Sequence, residues 1–213
     1  LQENFDKAVK LYEDLVVNAK ADDTALTALK ARIAKARKDA KLNKGAILQG
    51  LTSYAMYGAK NKFNNVLTDA ELNAVTAQEL TDKIKNLNNY EQTVIYYGPA
   101  SISDLTAKLT NLHKVPANFT NSAPAKTFKQ VAQQKNEVLF TDYEMVQAET
   151  RWIRNTDVYN AKNKTTVDVF NNYFGGGMGS LVFQTIRESK ALAYSTFGYY
   201  ISPAKKDDQY YMM

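Results

Sequence analysis

The spacing of apolar residues changes at a polar segment in the middle of the chain. Before this segment, apolar residues recur three and four positions apart, as on one face of a helix: Phe5, Ala8, Val9, Tyr12, Leu15 and Val16. After it, apolar or uncharged residues alternate with polar ones, as on a half-buried strand: Val146, Ala148, Thr150 and Trp152. The two patterns together predict an α+β fold with an antiparallel sheet packed with helices.

The polar segment has the composition of a linker. Residues 115–135 contain two of the four prolines and many small polar side chains. A chain of 213 residues is long enough for two modest cores. We therefore predict a first domain over residues 1–120, a linker over 121–135 and a second domain over 136–213.

Helix start and stop signals punctuate the first domain. A helix is predicted from Asp22 to the stop at Asn43 and Gly45, and a buried one from there to Gly58. Two capping boxes begin short helices: Thr68 with Glu71, and Thr76 with Glu79. Ser101 is a candidate cap for another helix.

Strands are predicted where β-branched and aromatic residues cluster. Three such runs cover residues 93–97, 136–143 and 145–155. Residues 193–201 and 209–213 are predicted to form a hairpin-like pair. Residues 163–174 are a helix candidate before the glycine-rich stretch.

Charge gives little support to a nucleic-acid partner. The net charge is +5, and most of the excess lies on one predicted helix, in the stretch KARIAKARKDAKLNK. No aromatic residue is interleaved there to stack on bases, so a solvated helix face is the favoured interpretation. Nucleic-acid binding stays a weaker alternative. No run of about 18 apolar residues predicts a membrane span, and no signal peptide is evident.

Histidine and cysteine content restricts the chemistry. His113 is the only histidine, at the end of a predicted surface helix, and there is no cysteine. A zinc site generally needs at least two such ligands, so we expect no metal in this chain. The absence of cysteine fits either an oxidising or a reducing compartment.

Three glycines, Gly175, Gly176 and Gly177, precede a predicted helix. Such a run can cradle a phosphate, but no strand precedes it and the Gly-Lys-Ser/Thr of a phosphate-binding loop is missing. A tight turn between two helices is the favoured interpretation, with Gly179 and Ser180 near the helix start.

Arg187 and Tyr194 are the candidate site residues. A cation near a helix C-terminus and a tyrosine at the start of a strand-like run are both compatible with a structural role. Together they also offer a guanidinium fork and a phenolic donor, which suit a peptide carbonyl or an oxyanion. Chemistry alone leaves both interpretations open.

The stretch FGGGMGSLVFQTIRESKALAY resembles a signature of the insulinase (pitrilysin-like) zinc metallopeptidases, in their C-terminal-type domain. YEQTVIYYGPASISDLTAKL and SYAMYGAKNKFNN also resemble segments of that family, so the resemblance covers nearly the whole chain. It implies two incomplete domains of the α/β-roll type. By this resemblance the chain is the rear, mostly helical part of one such domain followed by the front of the next.

The family resemblance also implies a reaction. In these peptidases one half binds zinc through an inverted His-x-x-Glu-His motif, and the other half lends an arginine and a tyrosine to the substrate backbone in an enclosed chamber. Arg187 and Tyr194 have the family's spacing, so that role transfers to them. The chain lacks the zinc motif and would be inactive alone. Its implied partners are a peptide substrate and a zinc-bearing half, in the same polypeptide or a separate subunit.

Besides the missing zinc motif, the chain departs from the family pattern just before Tyr194. Lys190-Ala191 stand where the family often has Arg-Gly, which suggests a different backbone before Tyr194. The rival function is a catalytically silent relative that serves as a scaffold or partner subunit. The chain begins on an amphipathic helix and ends on a strand-like run, so we expect a piece of a longer protein. A periplasmic or other extracytoplasmic location is the weakly favoured compartment.

Overall fold

A computed structural model describes residues 2–213, so Leu1, where the first predicted domain begins, lies outside the described residues. Seven α-helices are found in this range. In chain order they are α1 (Phe5–Asn18), α2 (Asp23–Lys41), α3 (Lys44–Tyr57), α4 (Asp69–Ala74), α5 (Ala77–Lys85), α6 (Ile102–Leu112) and α7 (Lys164–Phe174). None of the helices in residues 2–213 is long and apolar enough to cross a membrane.

Local signals fix three helix starts where the sequence predicted them. Both capping boxes are formed: Thr68 and Thr76 accept from the backbone N–H of Glu71 and Glu79, whose carboxylates reach back. Ser101 caps α6 by accepting from the backbone of Asp104 at 3.1 Å. The predictions of these helix starts are therefore confirmed.

The sheet has three antiparallel strands in the order β1-β3-β2, namely β1 (Arg154–Val158), β2 (Tyr200–Ile201) and β3 (Gln209–Met212). Tyr200 pairs with Met212 and Ile201 with Tyr211, so the predicted hairpin-like pair is confirmed in a shorter form. Helix α7 packs on β2. The α+β fold class is thus confirmed.

Tyr210 forms the centre of the core beside the sheet. Its side chain is 1% exposed, and its ring lies 5.4 Å from that of Tyr159 and 5.1 Å from that of Tyr200. Its hydroxyl donates to the carbonyl of Asn160 at 2.7 Å, which satisfies the one polar atom that burial would otherwise penalise. This aromatic cluster packs against the central strand β3, which pairs with both β1 and β2.

The chain divides into two compact units. One contains the residues up to Arg37 together with Leu67–Lys126, and the other contains Lys38–Val66 and Thr127–Met213. Within the second unit, Asn155 of β1 donates to the carbonyl of Met56 at the end of α3, at 2.8 Å. The domain bounds at residues 120 and 135 stay predictions.

Three strand predictions are wrong. Residues 93–97 and 136–143 form no strand, and the predicted strand over 145–155 is replaced by β1, which begins only at Arg154. A strand needs a partner for its backbone as well as a suitable pattern. Trp152 is 79% exposed and Val146 fully exposed, so their alternation reflects no buried face in this structure.

Candidate functional site

The helix that carries Arg187 begins at Ser180. This serine is 2% exposed, its Oγ accepts from the backbone N–H of Phe183 at 3.4 Å, and its carbonyl accepts from that of Gln184 at 2.9 Å. A serine at this position satisfies backbone donors that a helix start leaves without partners. The short polar side chain after the glycines therefore fixes where the helix begins.

Most of this helix is wound as a π-helix, over Phe183–Ser189. At its end, the backbone N–H of Lys190 donates to the carbonyl of Thr185, five residues earlier, at 3.1 Å. π-turns are rare and occur frequently at functional sites. Arg187 lies in the last turn of this helix.

Arg187 and Tyr194 are in contact. The guanidinium carbon of Arg187 lies 4.6 Å from the ring centroid of Tyr194, within the range of a cation–π interaction. Tyr194 is 84% exposed, and the Arg187 side chain is 34% exposed. The structure thus brings the two sequence-predicted site residues together on an accessible surface.

A second ring contacts the same guanidinium. Its carbon lies 4.7 Å from the centroid of Phe183, four residues earlier on the π-helix. Glu188 approaches only to 3.6 Å from the Arg187 Nε, which is too long for a hydrogen bond. Sequence reasoning missed Phe183, although a Phe–Arg pair four residues apart on a predicted helix is a recognisable signal.

The backbone around Tyr194 differs from the prediction. We expected a strand to begin there, but residues 191–199 are irregular and β2 begins only at Tyr200. Ala191 has φ +50°, a left-handed conformation that glycine adopts more easily than alanine. Tyr194 therefore lies outside the strands of the sheet, and its described contact is the cation–π interaction with Arg187.

The glycine run directly follows α7. Gly175 donates its backbone N–H to the carbonyl of Asn171 at 3.0 Å, and a Cβ on Gly175 would lie 1.9 Å from the carbonyl oxygen of Gly198. A Cβ on Gly176 would approach the Asn171 carbonyl oxygen to 2.8 Å, and Gly177 has φ +139°. Close backbone approach and an unusual conformation account for glycine at these positions.

His113 has partners that the sequence did not indicate. It follows α6, and its Nδ1 lies 2.6 Å from an oxygen of Glu13, whose other oxygen accepts from Asn88 at 3.0 Å. The His113 and Glu13 side chains are both 14% exposed. Helix α6 has no buried residue and His113 follows its last turn, so the predicted position of His113 at the end of a surface helix is confirmed. Among the residues the structure describes, no group of three or more His, Cys, Asp or Glu could hold a metal ion.

Two cations of α2 are engaged within their own unit. Lys30 donates to the carbonyls of Asn73 and Val75, at 2.7 and 2.6 Å, and Arg37 pairs with Asp69 at 2.5 Å. These contacts use part of the basic face for packing against α4 and its C-terminal end. They add a structural reason for this basic composition, which the sequence left open.

The fold and the site together define an α+β protein with an arginine–tyrosine pair that follows a glycine turn. The model of one family, described as the peptidase M16 inactive domain, matches residues 74–212. The chain therefore belongs to the peptidase M16 family, and the domain type is the inactive one. The predicted kinship with the insulinase-like peptidases is thereby confirmed.

A solved structure has the same fold. It is the crystal structure of a protease from Helicobacter pylori, with a TM-score of 0.64 and 14% sequence identity to this chain. The match covers 99% of this chain and 51% of that protease, so the chain spans about half the length of the solved protein. No curated protein matches the sequence significantly.

Proposed function

We propose that this chain is the non-metal half of a zinc metalloendopeptidase, in which Arg187 and Tyr194 bind the backbone of a peptide substrate. The observation that carries the proposal is the 4.6 Å contact between the Arg187 guanidinium and the Tyr194 ring on an exposed surface. Membership of the peptidase family and the inactive type of the matched domain support it.

The two side chains suit an electron-rich oxygen. Arginine carries five N–H donors and a permanent positive charge, and tyrosine carries one O–H donor. In the cation–π contact the guanidinium lies 4.6 Å from the ring centroid of Tyr194, so both residues present their donors within one small region of the surface. They would donate to a peptide carbonyl, and more strongly to the oxyanion that forms when water adds to it.

Activation of the water belongs to another half in this proposal. The described residues of this chain do not fit zinc, because His113 contacts Glu13 and no cluster of ligands accompanies it. The zinc-bearing half, in the same polypeptide or a separate subunit, would supply the metal. This chain's own contribution is to bind and orient the peptide. A periplasmic or other extracytoplasmic location for the protein stays a proposal.

The test is cleavage of a quenched fluorescent peptide by the complete protein with its zinc half. Arg187→Ala and Tyr194→Phe should each lower kcat/KM by at least about tenfold, and loss of one oxyanion donor typically lowers the rate by about 10²–10³. Zinc content should stay the same, because neither residue is expected to bind the metal.

Two matched variants serve as controls. Arg32→Ala removes an exposed arginine of α2, and Tyr173→Phe removes the hydroxyl of an exposed tyrosine of α7. Both should retain wild-type kcat/KM. If the zinc-loaded protein cleaves no peptide, a catalytically silent scaffold or partner subunit is the better account. If the protein cleaves peptide and the site variants match the wild type, Arg187 and Tyr194 have a structural role only.

A further inference from the structure

Phe183 shares the guanidinium of Arg187 with Tyr194. The guanidinium carbon lies 4.7 Å from the Phe183 centroid and 4.6 Å from the Tyr194 centroid, so the two contacts are of similar closeness. Unlike Tyr194, Phe183 has no polar group that could bind a carbonyl. Its contact with Arg187 therefore needs a different explanation from that of Tyr194.

The helix fixes Phe183 more firmly than the loop fixes Tyr194. The backbone N–H of Phe183 donates to Ser180 Oγ at 3.4 Å, and its side chain is half-buried. Phe183 and Arg187 are four residues apart, and their 4.7 Å contact shows that both side chains lie on the same side of the helix. Tyr194, in contrast, lies in an irregular segment and is mostly exposed. Phe183 is the better-anchored of the two rings.

The neighbouring carboxylate of Glu188 contributes little to holding the Arg187 guanidinium in place. Glu188 Oε1 lies 3.6 Å from Arg187 Nε, and the Glu188 side chain is 51% exposed. An exposed pair at this distance gives little stabilisation and does not set an orientation. Arginine also has many rotamers, so an unsupported guanidinium loses substantial entropy when it binds a substrate.

We propose that Phe183 is a positioning residue for the peptide site: its ring holds the Arg187 guanidinium beside Tyr194 before substrate arrives. This inference rests on the proposed function of Arg187 and Tyr194. Phe183 acts only through Arg187 and does not touch the substrate carbonyl. Removing its ring leaves both donors present but Arg187 less well oriented, and misplacement of a binding group by about 1 Å can lower a rate by about 10².

The first measurement uses NMR of the complete protein labelled with ¹⁵N-arginine. The Arg187 Nε–Hε resonance, assigned by its loss in Arg187→Lys, is shifted by the ring currents of its two aromatic neighbours. Phe183→Leu should move this resonance towards the position of unstacked arginines, whereas Phe183→Tyr, which keeps the ring, should leave it nearly unchanged. Phe197→Leu, which removes an exposed ring from the loop of Tyr194, is the matched control.

The second measurement is kcat/KM for peptide cleavage in a double-mutant cycle. Phe183→Leu should lower kcat/KM by about tenfold in the wild-type background, should have no effect in the Arg187→Ala background, and should be rescued in Phe183→Tyr. An unshifted resonance in Phe183→Leu overturns the inference. So does an equal loss in both backgrounds, because that is the result of a merely structural role.

The two measurements separate this inference from the function on which it rests. If Arg187→Ala leaves kcat/KM unchanged, the proposed function fails. The NMR comparison then still decides whether the Phe183 ring lies against the guanidinium.

Discussion

Gly175 and Gly198 lie so close together that a Cβ on Gly175 would sit 1.9 Å from the carbonyl oxygen of Gly198. The contact joins the end of α7 to the irregular segment that carries Tyr194, four residues before Gly198. The backbone contact between Gly175 and Gly198 therefore places the glycine turn beside the segment that carries Tyr194.

Gly175→Ala should destabilise the protein by about 2 kcal/mol, because the new methyl group meets backbone that cannot rotate away. Urea unfolding of the complete protein measures the change. Gly179→Ala is the matched control: its Cβ would meet nothing within 4 Å, and its effect should stay within about 0.5 kcal/mol. Equal effects of the two substitutions would contradict the close contact.

Ala191→Gly should stabilise the protein by about 1 kcal/mol. Ala191 has φ +50°, a conformation that costs an alanine roughly 1–2 kcal/mol and a glycine very little. The greater flexibility of glycine in the unfolded chain offsets part of this gain. Thermal unfolding is the measurement, and Ala193→Gly, at a residue without positive φ, should be destabilising instead. A loss of stability in both variants would rule out the left-handed turn.

Glu13 and His113 should be coupled in stability. Their atoms are 2.6 Å apart and both side chains are largely buried, so removing one partner leaves a poorly solvated polar group. Glu13→Gln and His113→Ala should each lower the free energy of unfolding by about 2 kcal/mol, and the double variant by less than their sum. Asp14→Asn, at an exposed carboxylate of the same helix, is the control and should have little effect. Strict additivity would show that the pair does not interact.

Acid should weaken the helix cap at Glu79. The pKa of Glu79 is lowered from its ordinary value of 4.5, mainly because the backbone N–H of Thr76 donates to its carboxylate at 2.7 Å. A lowered folded-state pKa means that the stabilisation is present above pH 4.5 and is lost as the pH falls through the folded-state value.

Glu79→Gln removes this titration but keeps an acceptor for the capping box. Unfolding curves at a series of pH values should show the wild type losing its advantage over Glu79→Gln as the pH falls below 4.5. A difference in stability that is the same at about pH 7 and about pH 3 would contradict the cap's dependence on charge.

Helix starts were predictable because their signals are local. Thr68, Thr76 and Ser101 each satisfy backbone donors within three residues, so the sequence contains all partners of each cap. The strands were predicted less well, because a strand needs a partner that can be distant in sequence. The Asn155 backbone N–H, for example, donates to the side chain of Gln133 at 2.7 Å.

The candidate site also combines features that the sequence predicted with contacts that it did not. Arg187 and Tyr194 were candidates from their chemistry, which left a structural role open, and the resemblance of their motif to a known family supplied the substrate-binding role. That role stays a prediction. Phe183 lies within the family motif and four residues before Arg187, but the resemblance assigned it no role. The partner of His113 lies 100 residues away in sequence and had no local signal.

The most direct test of the central claim is a double-mutant cycle of Arg187→Ala and Tyr194→Phe on peptide cleavage by the complete protein at equal zinc content. If both residues donate to the same substrate oxygen, each single variant should lower kcat/KM by at least about tenfold, and the double variant should lose less than the product of the two effects. If the single variants cleave as fast as the wild type, the pair does not bind substrate and the proposed peptidase role of this chain is wrong.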